Sequence, residues 1–294
     1  MPQRPRQGRD LRCGKVPDGA GTIDGVDACV REPAVAGRFY SGDRESLRAE
    51  LRELMPSDEH PRPTIAMVGP HAGYVYSGSI LAQTYARTEV PPRVIVLCPN
   101  HTGRGVPRSL WPRGGWRLPT GTIPVDDELV AAIERHCDAT PDQAAHLREH
   151  AIEVHLPLAH ARQPDLRMAA LCLAGLDVAE CEAVGRGLAR VVAESEHPVL
   201  LIASTDMSHF LSASEAAHLD HMAIDRVTAL DPTGLFETVR SHRISMCGVI
   251  PTTVALFAAR ALGARDAELV RYGHSGQVSG DHDRVVGYAG FRVF

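Results

Sequence analysis

Three short stretches each place a histidine just after an apolar run. TIAMVG leads into Pro70 and His71, RVIVLCPN into His101, and VLLIAST into Asp206, Met207, Ser208 and His209. One imidazole after a buried strand is ordinarily a loop or packing residue. Three on separate runs describe a site, because parallel neighbouring strands open their ends on one crevice. A transition-metal ion held there needs neutral imidazoles and an anionic ligand to balance its charge. Asp206, Glu153 and the thiol of Cys247 are the candidate anions. Cys247 precedes a helical pattern at 251–262, and the dipole and unpaired N–H groups of a helix start lower a thiol's pKa. That suits ligation or nucleophilic use; a small buried apolar role suits the residue equally. Cys98, before Pro99 on an apolar run, reads as a packing residue.

A second cluster, EHAIEVHLP at 149–157, invites comparison with a zinc-protease helix. The spacing does not fit, since H-E-x-x-H places its histidines four apart and here His150 and His155 are five apart. On a regular helix 150 and 153 share a face and 155 points elsewhere. The segment reads as a supporting or substrate-side element, or as a solvated charged helix. Tyr74 and Tyr76 follow His71 closely. They are placed either to line a pocket through their rings and hydroxyls or to pack beneath the loop.

These residues need a scaffold that gathers strand ends. From Glu32 onward, apolar runs of strand length at 64–68, 93–97, 166–173, 199–203 and 285–293 alternate with helical patterns at 45–55, 126–136, 178–193, 212–230 and 251–262. Such alternation predicts an α/β fold with a mixed, largely parallel central sheet flanked by helices. Ligands in open sheets of this kind sit beyond the carboxyl ends of the strands. No G-x-G-x-x-G follows a strand and no G-x-x-x-x-G-K-[ST] occurs, so nucleotide binding by those routes has no support.

Composition narrows the classes further. The 294 residues are 44% apolar with a net charge of −5, enough for a large core and without the basic footprint of a nucleic-acid binder. Seven cysteines, an odd number with no C-x-x-C, argue against a disulfide framework or zinc ribbon and for a reducing, cytoplasmic setting. No apolar run reaches the length of a membrane span, so no membrane partner is expected. Residues 1–30 are rich in Arg, Gly and Pro without apolar periodicity and lack the apolar stretch of a secretory signal. They read as a disordered tail, or as a start placed upstream of the true one, ahead of a single domain at 31–294.

The ordered set REPAVAGRFY at 31–40, PHAGYVYSG at 70–78, LCPNHTG at 97–103, EHAIEVHLP at 149–157, STDMSHF at 204–210, MCG at 246–248 and YGHSGQVSGDHDRVVGYAGF at 272–291 resembles the MEMO family, known in bacteria as AmmeMemoRadiSam system protein B. The resemblance spans nearly everything after residue 30. It implies an α/β fold related to class III extradiol dioxygenases, which hold non-haem Fe(II) through two histidines and a carboxylate. It implies a similar site with two histidines and a cysteine, carried here by His71, His101 and Cys247. Asp206 and His209 match additional pocket residues of the family. Tyr76 and Phe39 match aromatic pocket walls, although Trp often stands where this chain has Phe39. Glu153 is assigned to the substrate side. One divalent transition metal is expected, Fe(II) or Cu, with Zn as the alternative; a thiolate ligand favours softer ions than a carboxylate does. The family's system name implies an association with radical-SAM and AMMECR-type proteins.

Three functions follow as expectations. The first is a metal-dependent redox enzyme of dioxygenase ancestry acting on an unknown small substrate, with His209 as general acid or base and Asp206 orienting it. The second is a non-catalytic module that binds a peptide or partner protein in the inherited pocket. The third, less favoured, is a metal-dependent hydrolase.

Overall fold

The computed structural model describes residues 29–56 and 60–294. The expected disordered tail therefore lies outside the described residues except at its end. There Cys29 is buried and Val30 opens a strand, so these two residues belong with the folded domain.

Along the described chain the strands are β1 (Val30–Arg31), β2 (Ala66–Gly69), β3 (Arg93–Pro99), β4 (Arg108–Leu110), β5 (Gly115–Leu118), β6 (Gly121–Pro124), β7 (Thr140–Pro141), β8 (Arg167–Leu173), β9 (Val199–Ser204), β10 (His209–Leu211), β11 (Ala267–His274) and β12 (Val285–Val293). The large sheet runs β10-β12-β2-β9-β3-β8-β4-β7, with β11 also paired to β12; β1, β5 and β6 form a small second sheet. Its centre is parallel: β2, β9, β3 and β8 pair in the same direction. The flanks, β12 against β2 and β4 against β8, are antiparallel. The sheet is thus mixed and largely parallel at its core, as the alternation predicts.

The reason is visible in the strands. Every residue of β2, β3 and β9 is buried, as continuous apolar runs covered on both faces must be. Two of the helices flanking the sheet begin at side-chain caps. Asp126 accepts the Leu129 N–H for helix Asp127–Cys137, and Asp177 with Glu180 forms a capping box for helix Val178–Glu194. Helix Val249–Ala261 is apolar on nearly all sides and packs on both the sheet and helix Val178–Glu194. Gly185 permits that second contact, because a Cβ there would lie 2.6 Å from the Phe257 Cβ.

Several elements escape the sequence patterns. Helix Pro232–Ser241, helix Ser79–Arg87 and the β5–β6 hairpin are short. Strand β11 is half exposed along most of its length, so it carries neither a continuous apolar run nor clean alternation.

Candidate functional site

The strand order decides what meets. Strand β9 lies between β2 and β3, and Gly69 stands beside Ser204 while Leu97 stands beside Ala203. The turns after these strands therefore emerge side by side, carrying His71, Asp206 and His101. The fourth contributor comes from the start of helix Val249–Ala261. Gly248 lies against the Ser204 carbonyl and the Thr205 side chain, closer than any Cβ would permit. That close approach brings Cys247 to the strand ends.

His71 is the buried centre. Its ring Nδ1 is 2.7 Å from Ser204 Oγ, and Ser204 spends its only proton on the Ala151 carbonyl at 2.8 Å. The His71 Nδ1 must then carry the proton, leaving the Nε2 lone pair free. Cys247 Sγ is 3.3 Å from that Nε2, and Asp206 Oδ2 is 3.9 Å away. Burial holds the His71 imidazole well below its usual pKa, with the surrounding histidines adding to the effect, so the ring is neutral.

His101 is oriented by Glu149. Its Nδ1 lies 2.9 Å from Glu149 Oε1, and its backbone N–H donates to Oε2 at 2.7 Å. A carboxylate only accepts, so His101 also presents Nε2. Burial would lower the His101 pKa, but the bond to Glu149 and its charge outweigh it and the pKa rises. This pairing of a carboxylate with a histidine fixes ring and tautomer in many metal sites.

A third imidazole joins them. Ring nitrogens of His71, His101 and His150 lie within 4.8 Å of one another, and the His101 and His150 rings stack with centroids 4.9 Å apart. An ion about 2.0–2.1 Å from each nitrogen puts opposite ligands roughly 4 Å apart, so small side-chain rotations gather this set. Two rings pinned at Nδ1, a third imidazole and an adjacent thiol fit a transition-metal ion in donor type and number.

His150 went unrecognised as a converging group because the 149–157 segment is not the regular helix its pattern suggests. Residues 149–152 form an irregular turn, and only then do a short 3-10 turn Glu153–His155 and helix Leu156–Arg162 follow. His155 does point elsewhere, into the core, where its Nδ1 is 3.2 Å from the Tyr85 hydroxyl. Glu149 was visible in the same motif but lacked a role, and Ser204 was hidden inside its strand.

Two expectations are corrected. Glu153 does not face the pocket. It is fully buried and satisfied by its own chain: Arg31 at 2.7 Å, the Tyr40 hydroxyl at 2.8 Å and the backbone N–H groups of Ala34 and Val35. The thiol of Cys247 is not acidified by the helix start. Burial and the neighbouring Asp206 carboxylate push its pKa up, overriding the N–H groups nearby. The thiolate form therefore requires a cation beside it.

The remaining residues surround this centre. Asp206 Oδ1 accepts the His71 N–H at 2.8 Å, and burial raises the carboxyl to about 6 against that bond. The Asp206 N–H donates to Cys247 Sγ at 3.2 Å. His209 is tied to the loop that carries Cys247: its N–H donates to Ser245 Oγ at 2.7 Å and its Nδ1 lies 2.9 Å from the Ser245 carbonyl. Phe39 packs edge-on to His150 with centroids 5.0 Å apart. Tyr76 is exposed, whereas Tyr74 packs beneath the loop with its hydroxyl on the Val154 carbonyl. A surface cavity of about 670 Å³ lies at the opposite, amino-terminal ends of β3 and β8. Its Arg93 is already held by Asp126, Glu128 and Ser195.

Comparison with known proteins identifies the family. A family model described as Memo-like protein matches residues 31–292. The chain belongs to the Memo-like family. A MEMO1 family protein of Methanopyrus kandleri is 40% identical over 274 residues, covering 88% of this chain and 97% of that protein. One from Aquifex aeolicus is 38% identical over 265 residues, covering 89% and 98%. Among solved structures, an uncharacterized protein of Escherichia coli K12 superposes with a TM-score of 0.51 at 13% identity, covering 76% of this chain and 98% of that one. That likeness concerns the fold. Among the described residues no helix is long and apolar enough to cross a membrane.

Proposed function

We propose that this Memo-like chain is a metal-dependent oxidoreductase that holds one iron or copper ion through His71, His101 and Cys247, with zinc as the alternative ion, and acts on a small molecule. The observation that carries the reading is the convergence of the His71, His101 and His150 ring nitrogens within 4.8 Å of one another, with His71 and His101 pinned at Nδ1, Nε2 left open, and the Cys247 thiol 3.3 Å from His71 Nε2. When bound, such an ion supplies electron transfer to or from a coordinated molecule. His150 faces the same point and serves either as a further ligand or as a hydrogen-bonding partner of the substrate. Asp206, whose Oδ2 lies 3.9 Å from His71 Nε2, is placed to take up or release a proton beside the metal position. His209, at the start of β10 and hydrogen-bonded to Ser245 of the loop that carries Cys247, presents a further imidazole. Phe39 and Tyr76 wall the approach.

The test is metal analysis of anaerobically purified protein, because air oxidises thiols and removes Fe(II). Near-stoichiometric iron or copper is expected in the wild type and its loss in His71→Ala and Cys247→Ser. Unchanged metal in both variants rejects the site. Oxygen uptake with candidate substrates then separates an enzyme from a binding module. The binding reading draws on the exposed Val75, Tyr76 and Phe210, apolar side chains beside His71 and His209, which suit a peptide.

A further inference from the structure

Arg31 is buried beside the site without belonging to the metal set. We infer that Arg31 is the positioning residue of the histidine-bearing turn, acting through Glu149 on His101 and His150 directly and on His71 only at one remove. The guanidinium is 1% exposed and stacks on the Trp116 ring at 4.1 Å. Its donors fan out over one turn of chain. Nε–H donates to the His146 carbonyl at 2.8 Å, Nη2 to the Glu149 carbonyl at 2.5 Å and Nη1 to Glu153 Oε2 at 2.7 Å. A longer Nη1 bond of 3.3 Å reaches the Glu32 carbonyl. A planar fork of five N–H groups makes this pattern; an ammonium group does not.

Glu149 is thereby held at both ends. Arg31 fixes its carbonyl, while its carboxylate accepts from His101 N–H and Nδ1–H and from the His150 and Ala151 N–H groups. Two of the three converging imidazoles are keyed to this one residue. His71 is held by Asp206 and Ser204 and touches this turn only indirectly, through the bond from the Ser204 hydroxyl to the Ala151 carbonyl. The 31–40 segment is tied to the site a second time, because the Phe39 carbonyl accepts the Tyr74 N–H at 2.7 Å and the Phe39 ring meets His150. The short β1 strand pairs with β5 and anchors Arg31 over Trp116. The segment works as a strap: it never reaches the metal position, yet it sets the geometry of the groups that do.

The inference deepens the metal-binding reading for affinity, and its primary readout needs no metal. Removing Arg31 alone leaves Glu153 buried and unpaired, so the test uses Arg31→Met in a Glu153→Gln background, compared with Glu153→Gln alone. Long-range nitrogen–proton NMR of the imidazoles in metal-free protein reports each ring's tautomer. The expected result is that His101 loses its single Nδ1–H tautomer and His150 shifts, while His71, linked to the turn only through Ser204, changes least. Unchanged His101 and His150 signals overturn the inference, as does an equal disturbance of all three rings, which marks general loosening. Arg31→Lys, with the charge but not the fork, should restore folding without restoring the His101 signature; full restoration also overturns it. Anaerobic Co(II) titration supplies the second readout, with binding about 10–100-fold weaker in the double variant than in Glu153→Gln. If Co(II) fails to bind even the wild type, the metal reading falls while the imidazole spectra still decide the role of Arg31.

Discussion

Glu149→Gln tests how the site is held together. The side chain is fully buried, and its carboxylate accepts four N–H groups, one on Oε2 and three on Oε1. A carboxamide keeps the shape but has one oxygen. With that oxygen at the Oε1 position three bonds survive and an NH2 group faces the His101 N–H; the opposite flip fails three bonds. The better flip leaves one buried N–H unpaired, at about 1–3 kcal/mol. The three surviving bonds fall from charge-assisted to neutral, at about 1 kcal/mol each. Removing a buried charge offsets part of this loss, so the net destabilisation is about 3 kcal/mol. At roughly 2–4 °C per kcal/mol for a chain of this size, Tm should fall by about 6–12 °C. With its Nδ1 acceptor reduced to a neutral amide oxygen and its backbone N–H unpaired, His101 should also weaken metal binding by about 10–100-fold. Calorimetry of metal-free protein and anaerobic Co(II) titration measure the two effects separately. A variant with Tm within about 2 °C of wild type and an unchanged Kd would refute the assignment of Glu149 as the anchor of both histidines.

Three further outcomes are expected. Glu153→Gln breaks a buried ion pair with Arg31, so it should lower stability by up to about 3–5 kcal/mol in chemical denaturation while leaving metal stoichiometry intact; lost metal with unchanged stability would return Glu153 to the pocket. In Gly248→Ala the new Cβ meets the Ser204 carbonyl and the Thr205 side chain, and a cost of about 1–3 kcal/mol with reduced metal content should follow as Cys247 is pushed from the strand ends; a variant as stable and as metal-loaded as wild type contradicts the close approach. At the far end of the sheet burial raises the Asp126 pKa, but two bonds from Arg93 at 2.7 Å and the Leu129 N–H outweigh it and hold it below the usual range. A depressed folded pKa gives stability that is complete above the unfolded value of about 3.9 and is lost as pH falls through the lower folded value. The Tm gap between wild type and Asp126→Asn should therefore be widest near neutral pH and shrink at and below about pH 4; a gap constant from pH 7 to pH 3 would mean that the pair contributes nothing through ionisation.

Long apolar runs ending in polar, histidine-bearing turns determined β2, β3 and β9, because a continuous apolar strand can only be buried on both faces and its polar end must emerge. From that came the largely parallel sheet, the crevice at its carboxyl ends and the meeting of His71, His101 and Asp206. Spacing also placed His155 away from the site. What the chain could not show in one dimension was the side-chain environment three-dimensional packing creates. His150 reaches the cluster because residues 149–152 turn irregularly, and helical periodicity assigns the wrong face to such a turn. Glu153 turned inward because Arg31, some 120 residues away in sequence, supplies the one charge that makes its burial tolerable. The pKa of Cys247 followed the same logic. Its helix start is legible in the sequence, but the carboxylate of Asp206 and the loss of solvent act through space and reverse the sign. Residue types and strand ends are local properties of the chain; tautomers, proton affinities and the choice between pocket and core depend on which distant groups the fold sets within a few ångströms.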